Sequence, residues 1–270
     1  MEKSKYSDLI AKIQRKRRWV VVLCTAVTVL LLLFVTPANL EVAGETILGN
    51  EGVHPILLIV LFFLCLLVEG IVYAAVSLPL NTSMVQECDP EKHLVLNMQL
   101  NKQKNIDYIY ANDYLYLGIY APAIEYSEKM IKSPKKVMVL VGLFNKARCE
   151  FLLDDYCAFR ESADKYKATL SNAKKLKPKV KEVYEKIGRI IDFMLAIMEN
   201  DIERIDELRS NIEVWNKSKA TEGFVNYIKG VAAYKAEDKE EAIYRFKGVK
   251  DNCAKTVFAK LSDEYLELLK

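Results

Sequence analysis

Gly118-Ile119-Tyr120-Ala121-Pro122-Ala123-Ile124-Glu125-Tyr126-Ser127-Glu128-Lys129 reads as a turn followed at once by a helix. The helix before it supplies a small residue at Ala111 and an aromatic at Tyr114, and Pro134 closes the unit. Outward from this unit the pattern repeats. Segments of about 12 to 18 residues keep helical periodicity, with polar breaks near Leu117–Ala121, Ser133–Lys136, Asp154–Asp155, Lys177–Lys179, Asn200–Asp201 and Glu237–Lys239. No period-two pattern competes, so the region is expected to be all-α. Upstream, Asp89 before Pro90 and Glu91 predicts an N-cap, a first-turn proline and a favourable first-turn charge. A helix from Pro90 to Lys102 should follow, with Leu94, Val95, Met98 and Leu100 for packing.

The last copy is the clearest. Gly230, Ala242 twelve residues on and Phe246 four later flank the turn Glu237-Asp238-Lys239-Glu240-Glu241. With Ala111, Tyr114 and the quoted segment, this pattern resembles the tetratricopeptide repeat. Small residues there let the two helices of a hairpin approach closely, and the aromatic fills the gap between hairpins. The middle units depart from the pattern. Phe159 stands where alanine is expected, and a third hairpin from Val180 to Ile212 lacks the signature residues. Turn spacings run 36, 46 and 37 residues, against about 34 in the family. The long interval is read as an extended helix pair around Lys174 to Lys181, and Thr256–Leu269 as the cap of the stack. The resemblance covers 105–270 and implies an α-solenoid whose first helices line a concave groove. It implies a peptide-binding groove of Tyr108, Asn112, Tyr116, Phe144, Asn145 and Arg148. Asn112 and Asn145 match the asparagines with which some members hold a peptide carboxylate. Tyr108 replaces their lysine, and Ile187 and Ile191 replace basic groups. A groove for an extended or helical protein segment fits better than a carboxylate clamp. The tyrosines from Tyr108 to Tyr126 divide between that groove and interhelical packing.

The N-terminal part has another character. Trp19–Val35 and Ile56–Val76 are apolar runs, each long enough to span a bilayer core of roughly 30 Å as a helix. Lys12, Arg15, Lys16, Arg17 and Arg18 precede the first run, while the connection carries Glu41, Glu45 and Glu51 and no lysine or arginine. The positive-inside rule then puts both termini in the cytoplasm, with an acidic external loop. The bulky end of the first run, Leu30–Val35, argues for a retained anchor over a cleaved signal. The expected organisation is a basic leader (1–18), a transmembrane hairpin (19–76), a helical connector (77–104) and the repeat domain (105–270). Compactness and short loops suggest a bacterial cell membrane. Thr25 and Glu69 fall at the same depth on the two runs, about 10 Å from the cytoplasmic ends. A protonated Glu69 bonded to Thr25 would hold the hairpin together, helped by Gly70, Ala74 and Ala75.

Composition narrows the chemistry. The chain has 39 basic and 36 acidic residues, and Met1–Arg18 alone holds seven lysines or arginines. The rest is near neutral, without the basic patch that nucleic-acid binding needs. The six cysteines lack zinc-site spacing, and the histidines, His54 and His93, fall on opposite sides of the expected membrane. No phosphate loop, nucleophile elbow or metal-binding histidine pair occurs. No enzyme activity, cofactor or metal is expected. The reading is a membrane-anchored scaffold that offers a cytoplasmic groove to a protein or peptide. Its alternative is an accessory subunit of a membrane channel, transporter or secretion complex, acting through the hairpin and Glu69. The basic leader and Lys174–Lys181 could also meet anionic lipid.

Overall fold

The computed structural model describes residues 5–35, 63, 66–67, 70, 82–100, 106–173 and 175–270, and the chain divides into two compact units, 1–80 and 81–270. In the first unit, helix α1 (Ser7–Val35) runs without a break from the basic leader into the first apolar run. Tyr6, Ile10 and Ile13 form a buried stripe near its start. Trp19, Val21, Val22 and Leu23 are exposed beyond the basic cluster. Among the described residues, no helix is long and apolar enough to cross a membrane. Most of the second apolar run, including Glu69, lies outside the described residues. The all-α class is therefore established, and the transmembrane hairpin is not.

The second unit contains helices α2 (Pro90–Leu100), α3 (Asp107–Tyr116), α4 (Tyr120–Ile131), α5 (Lys136–Leu152), α6 (Tyr156–Ser171), α7 (Pro178–Glu199), α8 (Ile202–Arg209), α9 (Lys219–Lys235), α10 (Lys239–Cys253) and α11 (Val257–Leu268). Asp89 caps α2 by accepting the Lys92 N–H at 3.0 Å. Four turns share one local design. Gly118, Asp154, Asn200 and Glu237 take positive φ of 75°, 56°, 54° and 59°, ending α3, α5, α7 and α9 in the left-handed conformation. After the last three, Asp155, Asp201 and Asp238 accept the N–H of Ala158, Arg204 and Glu241, capping α6, α8 and α10. The result is four helical hairpins, α3–α4, α5–α6, α7–α8 and α9–α10, followed by α11.

Glycine and alanine set the contacts within these hairpins. A Cβ on Gly230 would stand 2.6 Å from Cε1 of Phe246, so the ring of α10 seats directly against the α9 backbone. Ala111, Ala123 and Ala242 are fully buried. Phe159, the residue in place of alanine, is also fully buried, with its ring 6.3 Å from that of Phe151. The long middle interval is not an extended helix pair. Helix α6 stops at Ser171 and α7 starts at Pro178, so the extra length is a linker followed by a 22-residue helix. In that stretch Lys175, Lys177, Lys179 and Lys181 are exposed, and Lys174 lies outside the described residues.

The first helices of the hairpins pack in succession, α3 on α5, α5 on α7, α7 on α9 and α9 on α11, and α11 returns to α3. Tyr116 and Phe258 meet edge to face at 5.2 Å across that last contact, and Gly118 abuts Val257. The segment 84–89 fastens to the same end. Ser218 Oγ donates to the Met84 carbonyl at 3.5 Å, and Lys255 pairs with Asp89 at 2.5 Å. The final segment thus does more than cap a stack, because it closes the superhelix on its own first hairpin. Burial explains this. Tyr116, Phe144, Phe224, Tyr227 and Phe258 all stand on inner helix faces and are at least nine-tenths buried. Aromatic side chains bury roughly 150–250 Å² each, a gain that an open groove would forgo.

Candidate functional site

Helix α3 carries Tyr108, Asn112 and Tyr116, and α5 carries Phe144, Asn145 and Arg148. Spacings of three or four residues put each set along one helix face. Five of the six meet around the Arg148 guanidinium. Its Nη2 donates to Asn112 Oδ1 at 2.8 Å and to Asn145 Oδ1, while Nη1 faces the Tyr116 hydroxyl at 3.5 Å. The rings of Phe144, Phe224, Tyr116 and Trp215 surround it, with centroids 4.6, 5.3, 5.6 and 5.9 Å from its central carbon. Tyr108 stands apart and is 47% exposed.

The groove expected from the sequence is closed here. Tyr116, Phe144, Asn145 and Arg148 are 1–4% exposed, and only Tyr108 and Asn112 retain appreciable surface. The space belongs to the chain itself. Trp215, from the linker after α8, meets Phe144 edge to face at 5.1 Å, and Phe224 of α9 meets both.

Arg148 is electrostatically unusual in this setting. No carboxylate of the described residues pairs with it, and its Nε has no hydrogen-bond partner. A guanidinium stays charged at any ordinary pH, so one uncompensated positive charge is held inside the unit. Two amide oxygens and four ring faces replace part of its hydration, each cation–π contact contributing roughly 0.5–2 kcal/mol. Burial pushes the Tyr116 phenol up to about 12, with the nearby guanidinium acting in the opposite sense.

Beside this cluster lies a pair that sequence reasoning missed. Asp113 is fully buried on α3, and His93 of α2 places Nδ1 2.8 and 2.7 Å from its two oxygens. Burial raises the Asp113 carboxyl to about 6, against the opposing effect of the His93 hydrogen bond and charge. No sequence signal links two residues 20 apart on separate helices. The tyrosines of the first hairpin mostly serve packing: Tyr126 lies 5.2 Å from Tyr110 and 6.0 Å from Tyr114, between α3 and α4.

A second feature missed from sequence is a cleft of about 500 Å³ at the C-terminal ends of α5, α7, α9 and α11. Tyr227, Tyr234 and Tyr265 line it, and Asp154 and Glu264 stand at its edge. These tyrosines are scattered from 227 to 265, so only the superhelix brings them together. Thr25, the partner expected for Glu69, donates its hydroxyl to the Val21 carbonyl of its own helix at 2.8 Å. Glu69 lies outside the described residues. Among the described residues, no group of three or more histidines, cysteines or carboxylates could hold a metal ion.

No protein-family model matches the chain, and no curated protein or solved structure matches it.

Proposed function

We propose that the protein is a membrane-anchored scaffold, in which a tetratricopeptide-like helical domain binds a protein or peptide in the cytoplasm. The observation that carries this reading is the surface of α1. Directly after Lys12, Arg15, Lys16, Arg17 and Arg18, the side chains of Trp19, Val21, Val22 and Leu23 are 57–67% exposed on one continuous helix. A basic cluster, an interfacial tryptophan and uncovered aliphatic side chains in that order suit entry into a bilayer from the cytoplasmic side. Ile56–Val76 would return the chain, leaving 81–270 in the cytoplasm.

The supporting argument for binding comes from the helical unit. Repeated hairpins give broad, rigid surfaces suited to protein recognition. Anchoring such a unit raises its effective concentration toward partners at the same membrane. In the closed superhelix, the α3 surface available from the expected groove reduces to Tyr108 and Asn112, with the Arg148 charge behind them.

Photo-crosslinking of the full-length chain in native membranes tests the proposal, with the reactive residue at Tyr108 or Tyr244, both exposed. The expected result is a chain that resists alkaline carbonate extraction and forms a discrete protein adduct from the helical unit. Extraction by carbonate would overturn the anchor. With a third probe at Trp19, adducts from that position alone would overturn the scaffold reading in favour of a membrane-complex subunit.

A further inference from the structure

The cleft at the C-terminal ends of the inner helices is chemically asymmetric. Tyr227 is 95% buried there, and its hydroxyl has no hydrogen-bond partner among the described residues. Tyr265 meets Tyr234 edge to face at 5.1 Å and Tyr227 at 6.4 Å, giving an aromatic wall. Asp154, in its left-handed turn after α5, and Glu264 on α11 form no ion pair among the described residues. The last turns of α5, α7 and α9 open on the same space. Each helix C-terminus contributes the equivalent of roughly half a negative charge. Lys235 is the one cation lining the cleft among the described residues, against two carboxylates. The tyrosine responds to this field: burial first, then Tyr234, Asp154 and Glu264, push the Tyr265 phenol above its ordinary range.

Phenol rings, a free hydroxyl, two carboxylates and three helix C-termini share one preference. They favour a cation that is desolvated on one side by aromatic faces and neutralised on the other by carboxylate. Phe151, Ile197 and Val231 supply apolar floor, so the occupant must also offer hydrocarbon. A volume of about 500 Å³ admits one long side chain with its flanking neighbours.

We infer that this cleft is the docking site for a partner protein segment that inserts an arginine or lysine flanked by aliphatic residues. The inference rests on the scaffold reading and specifies the partner's chemistry. The cationic head lies between Asp154 and Glu264, over the ring of Tyr265. Its hydrocarbon stem lies along Tyr227 and Tyr234. Recognition is by charge and by aromatic contact together, so a neutral residue of equal shape fits without binding strongly.

The test uses the purified full-length chain in detergent micelles and fluorescence anisotropy. The probes are a leucine- and alanine-rich peptide with one central arginine, and its counterpart with citrulline, a neutral isostere. The arginine peptide is expected to bind at least roughly tenfold more tightly than the citrulline peptide. Asp154→Asn with Glu264→Gln, both exposed positions, should remove that difference while circular dichroism stays unchanged. Tyr227→Phe should weaken the arginine peptide without altering the fold. Equal affinity for the two peptides, or full discrimination retained by the double variant, would overturn the inference. Pentylguanidinium binding as tightly as the peptide would overturn the assignment to a protein segment. In native membranes, crosslinked adducts that persist in the double variant would sink the cleft and leave the scaffold standing. No adduct from the unaltered chain would sink the scaffold itself.

Discussion

Arg148 concentrates the tension between stability and use at the level of single residues. A buried charge without a counterion is costly, and an apolar residue of similar size removes that cost. Arg148→Met should therefore leave thermal stability unchanged or raise it by a few degrees. Arg148→Ala should lower stability by about 3 kcal/mol, because it leaves a cavity among Phe144, Trp215 and Phe224. Denaturant unfolding of the two variants decides the matter, and a methionine variant as unstable as the alanine one would mean that the charge holds the core together. Asp113 sets a pH dependence. Its carboxyl is raised from 3.8 to about 6 by burial, so its contribution to stability is fully present below about pH 4 and lost as pH rises through about 6. Relative to Asp113→Asn, the unaltered protein should lose on the order of 2 kcal/mol over that window. Parallel unfolding curves of the unaltered protein and Asp113→Asn at pH 4, 5, 6 and 7 would show this as a difference in slope.

At the level of elements, the repeat lies in the turns. Glu237 holds φ of 59° with a side chain, where glycine would avoid a cost of about 1–2 kcal/mol. Glu237→Gly should stabilise by about 0.5–1 kcal/mol, net of the added chain entropy. Asp155→Ala should cost about 1 kcal/mol by uncapping α6, measured by thermal melts. These turns were the most legible part of the chain. The breaks at Leu117–Ala121, Asp154–Asp155, Asn200–Asp201 and Glu237–Lys239 all coincide with helix ends, since capping is a local property of three or four residues. Gly230 was legible as a site of close approach, but Phe246, expected between hairpins, seats on Gly230 within its own hairpin while also stacking on Tyr265 of α11 at 4.9 Å. Asn112, Asn145 and Arg148, expected along one groove, are joined by hydrogen bonds from Arg148 to both asparagines, because the hairpin pattern places α3 beside α5. Their burial was not legible. It depends on Trp215, Phe224 and Phe258, which lie from 67 to 146 residues away from Arg148 and Asn112 and arrive only through closure. The acidic tyrosine cleft was hidden for the same reason.

At the scale of the whole helical unit, closure decides which surface can work. An open stack of hairpins would expose its inner helices along their length and let its two ends behave independently. Here α11 returns to α3, so the inner faces become core and the inner helices open on a cleft at their C-terminal ends. The ends of the unit should then be coupled. Phe258 is fully buried between Tyr116, Phe224 and Tyr227, and its removal should cost about 3–5 kcal/mol. Hydrogen exchange on the full-length chain carrying Phe258→Ala is the most direct measurement of this claim. The closed superhelix predicts that amides of α3 and α5 lose protection together with those of α9 and α11. Loss confined to α9, α10 and α11, with α3 as protected as before, would contradict it and restore an open groove lined by Asn112, Asn145 and Arg148.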